Sequence, residues 1–139
     1  MTDASALTDL KTITEAVYAH RQLAFAKLVA REKGLRMKLA NLDDVRLQAS
    51  AATQAMHQMQ SVGADVVWQT WTERTRTALN LQLAQVLAAK GHHLRDVRQA
   101  HGKMSVVNEL QKERTAGMRR SNAQRQLEEA IALSIAGLR

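Results

Sequence analysis

The sequence predicts an all-α fold, a long antiparallel two-helix coiled-coil hairpin with its turn near residues 61–65. Three observations predict it. The 139 residues contain no Pro and no Cys, aromatic residues make up 3% against 45% hydrophobic residues, and only one Gly stands where a chain reversal is well placed. Small and γ-branched side chains suit the narrow seam between long helices better than an aromatic-filled centre. Chain length fits one domain, residues 1–139, with a single hairpin occupying all of it.

The first helix is expected over about residues 5–61. Ser5 and Thr8 are the candidate N-caps, since their hydroxyls can accept from first-turn amides. Leu10, Ile13, Val17 and Ala24 alternate by threes and fours, and Leu28, Leu35, Leu42, Ala49 and Met56 then repeat every seven residues. The change of phase between Ala24 and Leu28 predicts a local unwinding of the supercoil. Gly34 interrupts nothing, because a lone Gly costs about 1 kcal/mol against Ala without ending a long helix.

The turn falls in Gln60-Ser61-Val62-Gly63-Ala64-Asp65. Gly63 can take the left-handed conformation that ends a helix, and Asp65 can cap the next. The second helix is expected over about residues 65–136, with Leu79, Leu83, Val86, Leu87, Leu94, Val97, Met104, Val107 and Leu110 as its apolar stripe. Lys90 and His93 or His101 interrupt it. Each helix would run roughly 80 Å or more at ~1.5 Å per residue.

Folding about Gly63 pairs positions whose numbers total about 126, setting Leu42 near Leu83, Leu28 near Val97 and Val17 near Leu110. Residues beyond about 125 then overhang. That overhang carries Leu127, Ile131, Ile135 and Leu138 along one helical face. Apolar surface of this kind is either a frayed or self-associating end or a site for a dedicated partner.

Charge adds a second constraint. There are 20 Lys and Arg against 13 Asp and Glu, a formal net of +7 with pI near 10.4. Much of the excess lies in the second helix, where Arg95, Arg98, Arg114, Arg119 and Arg120 form a candidate basic face. A basic helix pair suits a solvated surface, an acidic protein partner, or nucleic acid held through its phosphates. The sequence has no DNA-binding motif and few aromatics to stack on bases, which makes nucleic acid the least favoured of the three.

Nothing in the sequence predicts catalysis, a cofactor or a metal. His20, His57, His92, His93 and His101 include no pair at the i,i+4 spacing that binds zinc. Asp43-Asp44 and Glu128-Glu129 read as solvated charges, and no glycine-rich phosphate loop is present. No stretch reaches the ~18 apolar residues of a membrane span. The acidic start, Met1-Thr2-Asp3, is unlike a secretory signal, so a cytoplasmic protein is expected.

Trp68-Gln69-Thr70-Trp71 gathers half of the four aromatics into the first turns of the second helix. Spaced i,i+3, Trp68 and Trp71 project from neighbouring positions. They either plug the end of the seam or form a docking knob of the kind found at interaction hot spots.

A proline-poor helical hairpin turning near residue 63, followed by Val66-Val67-Trp68-Gln69-Thr70-Trp71, Leu79-Asn80-Leu81-Gln82-Leu83-Ala84 and Asn108-Glu109-Leu110-Gln111-Lys112-Glu113-Arg114, resembles the FliJ/YscO family. Its members are small stalk proteins of flagellar and type III secretion export systems. The resemblance spans nearly the whole chain in architecture and is poor in motifs. It implies a non-catalytic protein peripheral to the inner-membrane export apparatus. The end carrying both termini would enter the hexameric export ATPase, the hairpin end would face the cytoplasmic domain of the export gate, and export chaperones are further partners. Leu127, Ile131, Ile135 and Leu138 would then lie at the ATPase end and Trp68 and Trp71 at the gate end. Such a stalk is expected to be monomeric in solution. Two other readings are a self-assembling coiled-coil scaffold, whose dimer or tetramer is lost on deleting residues 126–139, and a basic nucleic-acid-binding rod.

Overall fold

The computed structural model describes residues 2–55 and 63–138 of the chain. Two helices, α1 (Thr2–Ala55) and α2 (Ala64–Gly137), pack against each other with no strand among the described residues. This is the all-α, two-helix hairpin that the sequence predicts.

Helix α2 agrees with the expected 65–136 to within one residue at each end. Helix α1 starts earlier than expected, at Thr2, so neither Ser5 nor Thr8 is an N-cap. The Thr8 hydroxyl instead donates to the Ala4 carbonyl at 2.9 Å from inside the helix, while Asp3 places its charge in the first turn, where the macrodipole favours it. The expected end of α1 near Ser61, the heptad member Met56, and Gln60 to Val62 of the turn lie outside the described residues.

Gly63 does adopt the left-handed conformation, at φ 70°. Its position in the motif differs from expectation. Its carbonyl accepts the Val67 amide at 3.3 Å, so Gly63 itself caps α2, and Asp65 is a first-turn residue whose charge complements the helix dipole.

Contacts divide the chain into two compact units, one of residues Arg21–Val97 and one of Met1–His20 with Arg98–Arg139. Within Arg21–Val97 the helices run antiparallel. Arg21 meets Asp96 at 3.5 Å, Glu32 meets Lys90 at 2.8 Å, Asp43 meets Arg76 at 3.5 Å and Arg46 meets Glu73 at 3.9 Å. The numbers of facing residues total 117 to 122. In the other unit, Tyr18 and His101, with ring centroids 5.4 Å apart, give 119.

This register corrects the expected total of 126. The lower total goes with Gly63 standing at the start of α2. Leu42 therefore meets Leu79, with which it lines one groove, and the expected neighbour of Leu42, Leu83, lies a turn further on.

Burial follows an unbroken seven-residue rhythm in both helices. On α1 the inward rows are Leu7, Thr14, Arg21, Leu28, Leu35, Leu42 and Ala49, and Lys11, Tyr18, Phe25, Glu32, Leu39 and Arg46; all are buried or half-buried except Arg21 and Arg46, whose charged ends reach outward. On α2 they are Thr72, Leu79, Val86, His93, Ala100, Val107 and Arg114, and Arg76, Leu83, Lys90, Val97, Met104 and Gln111. A strict seven-residue repeat keeps one face on the partner helix.

Two expectations fail against this rhythm. No phase change occurs before Leu28, and Leu10, Ile13 and Val17 face outward, at 45%, 58% and 43% exposure. Leu87 and Leu110 of α2 are likewise exposed. The inward places at those levels go to Thr14, Tyr18 and other amphipathic side chains, which bury their apolar stems while keeping polar ends wet.

Candidate docking surfaces

The Arg21–Val97 unit positions the two tryptophans. Thr70, Thr72, Thr75 and Thr77 each donate a hydroxyl to the carbonyl four residues back, at 2.8 to 2.9 Å. For Thr72, 3% exposed, the bond to the Trp68 carbonyl is what lets a hydroxyl sit in the seam without a lost hydrogen bond.

Trp68 and Trp71 share one flank of α2. Trp68 is half-buried, whereas Trp71 is 54% exposed. Trp71 forms the wall of an open groove of about 350 Å³ together with Lys38, Asn41, Leu42, Val45, Thr75 and Leu79. The groove floor is apolar and Lys38 stands at its side, a setting suited to an apolar or aromatic anchor with an acidic neighbour. Sequence reasoning located the tryptophans but missed the α1 wall, because that wall depends on the register of the hairpin.

In the unit of Met1–His20 and Arg98–Arg139, residues 117–138 are all exposed. Facing totals near 119 bring α1 to its first residues at about the level of Met118. The uncovered stretch therefore begins some seven residues earlier than residue 125. Leu127, Ile131, Ile135 and Leu138 are 51% to 85% exposed, and Met118 and Leu133 are exposed with them. A second apolar patch was not foreseen. Leu10, Ile13 and Val17 of α1 and Val106 and Leu110 of α2 occupy the same flank of the helix pair and are all exposed. Its signal was present in the sequence, in the conflict between the Leu10–Val17 row and the seven-residue row ending at Leu28.

Of the five arginines, Arg95, Arg98, Arg119 and Arg120 are exposed, and Arg98 and Arg119, twenty-one residues apart on α2, keep to one seven-residue row. Arg95 belongs to the Arg21–Val97 unit. Arg114 is half-buried on the seam row of Ala100 and Val107, while Arg98, Arg119 and Arg120 are exposed on other rows. Among the described residues, every ion pair between the helices lies in the Arg21–Val97 unit.

Among the described residues, Glu32 accepts three side-chain hydrogen bonds. Lys90 Nζ donates to its Oε2 at 2.8 Å, and Arg36 Nε and Nη2 donate to its Oε1 at 3.1 and 3.0 Å. Hydrogen bonding from Lys90, then from Arg36, holds the carboxyl below its ordinary value. This is a structural pair at a seam position and leaves no oxygen for a substrate. Among the described residues no three of His, Asp and Glu gather as metal ligands, and no helix is long and apolar enough to cross a membrane.

No family model matches the chain, and no curated protein or solved structure does.

Proposed function

We propose that the chain is a non-catalytic docking protein of a flagellar or type III protein export apparatus, acting as a stalk between its ATPase and its gate. The observation that carries this reading is the uncovered apolar stripe Leu127, Ile131, Ile135 and Leu138 on a helix that continues past its own partner helix. Such a stripe is suited to the interior of an ATPase ring. Trp71 and the groove beside it, in the other unit, supply a separate surface for the cytoplasmic domain of the gate. The work is positional, with movement of the ring carried to the gate through two continuous helices. The resemblance to FliJ/YscO proteins, resting on the hairpin and the residues around Trp68 to Trp71, supports the same assignment, as well as a cytoplasmic place at the membrane-bound apparatus and contact with export chaperones.

Pull-down against a hexameric export ATPase and against the gate's cytoplasmic domain tests the proposal. Ile131→Glu is expected to abolish ATPase binding only, and Trp71→Ala gate binding only. Absence of both interactions for the unaltered chain at low salt overturns it.

A further inference from the structure

We infer that the free protein closes its own apolar surfaces by pairing with a second copy, each copy laying its segment 126–138 on the other's Leu10–Val17 and Val106–Leu110 flank. The inference does not rest on the export reading.

Both surfaces belong to the same unit, and one helix contributes to both. Val106 and Leu110 lie on nearly the same side of α2 as Leu127, Ile131, Ile135 and Leu138, about twenty residues further along. A two-fold axis near residue 120 runs the two α2 helices antiparallel and sets the second copy's Ile131 and Ile135 at the level of Leu110 and Val106. Facing residues within the hairpin total about 119, so Leu10 and Ile13 stand at that same level on α1. The incoming helix thus meets an apolar strip formed by both helices. The interface is isologous: one contact occurs twice and the assembly closes at two copies.

Area is sufficient. The stripe and the flank together expose nine large apolar side chains per copy, none less than 43% exposed. Covering most of them in both copies removes on the order of 1,000 Å² or more, the scale at which specific interfaces begin. Overhang paired with overhang alone would leave the flank open.

Residues 126–138 carry Glu128 and Glu129 and no base, a net of −2. They lie over residues 103–115 of α2, which carry three bases and two acids, and residues 4–16 of α1, which carry Lys11 against Asp9 and Glu15, so the covered surface is neutral and the contact rests on its apolar side chains. Arg120 lies close to the axis, where its long stem can turn its charge to water.

The consequence is a dimer in place of the monomer expected of an isolated stalk, and any partner that takes the 126–138 stripe must displace the second copy. The test uses the full chain, with mass followed by light scattering and sedimentation across concentration. The unaltered chain is expected to double its mass on concentration. Ile131→Glu in the stripe and Ile13→Glu in the flank are each expected to stay monomeric where the unaltered chain is dimeric. Both positions are exposed, so helical circular dichroism should be unchanged, and Leu127→Glu provides a second stripe variant. An equimolar mixture of the two variants should recover a weaker dimer, because a mixed pair keeps one intact stripe on one intact flank. A chain that is monomeric at every concentration, a dimer insensitive to Ile13→Glu, or a mixture that recovers nothing would each overturn the inference.

Discussion

Lys90 Nζ and Glu32 Oε2 stand 2.8 Å apart across the hairpin at facing seam positions, with the Glu32 side chain only 13% exposed. A seven-residue slip would set Glu32 against Leu83 or Val97 and leave its carboxylate without the lysine. An apolar seam alone would tolerate such a slip, since Leu and Val occur on either side. The pair therefore specifies alignment more than it adds stability, the best-attested use of a polar group in a coiled-coil seam.

Stability should depend on the ionisation of Glu32. Its carboxyl titrates below its ordinary value of about 4.5 in the folded chain, so the unfolded chain binds the proton first. The contribution is present above about pH 4.5 and is lost as pH falls through the folded value. Thermal unfolding between pH 7 and pH 3 is expected to show a steeper decline for the unaltered chain than for Glu32→Gln.

Truncation of the seam should be costly where it is dry. Leu35 and Val86 are 5% and 3% exposed, and Leu35→Ala is expected to cost about 2–3 kcal/mol and Val86→Ala about 1–2 kcal/mol by denaturant unfolding. Leu47→Ala and Leu81→Ala, on exposed positions, should fall within about 0.5 kcal/mol of the unaltered chain.

Glycine substitutions should separate by sign. A methyl group at Gly91 meets nothing within 4 Å inside α2, so Gly91→Ala is expected to stabilise by up to about 1 kcal/mol. Gly63→Ala should destabilise by about 1 kcal/mol, because φ 70° is unfavourable once a Cβ is present. Unfolding midpoints of the two variants decide the matter.

His93 occupies the seam row between Val86 and Ala100, and its Nδ1 is buried with no hydrogen-bond partner among the described residues. Removing an unsatisfied buried nitrogen is favourable. His93→Leu is expected to raise stability by about 1 kcal/mol, measured by chemical denaturation at neutral pH.

The helices and their pairing were legible because Pro is absent and because Leu28, Leu35, Leu42 and Ala49 keep strict seven-residue spacing. Extended backwards, that spacing passes through Arg21, Thr14 and Leu7, and the structure follows it. The apolar row Leu10, Ile13 and Val17 is richer, and a reading by hydrophobicity alone prefers it. Tertiary continuity decided otherwise, because turning α1 to bury that row would have rotated Leu35 and Leu42 out of the seam. Thr72 was not foreseen in the interior, since its fitness there depends on a bond to the Trp68 carbonyl. The register was misjudged by about seven in the total, and Gly63 stands at the start of α2. The tryptophans were legible as a pair, but their unequal exposure was not, being set by which of the two lies nearer to α1.

The seam is not equally dry throughout. Leu35, Leu42 and Val86 are shielded in the Arg21–Val97 unit, whereas the α1 contribution to the other unit, from Leu7 to Tyr18, is nowhere better than half-buried. Amide protons of the first five turns of α1 should accordingly trade with solvent deuterium well before those around Leu35. Where that stretch peels away, Ala100 and Val107 lose their cover, and α2 presents an apolar face on two sides at once.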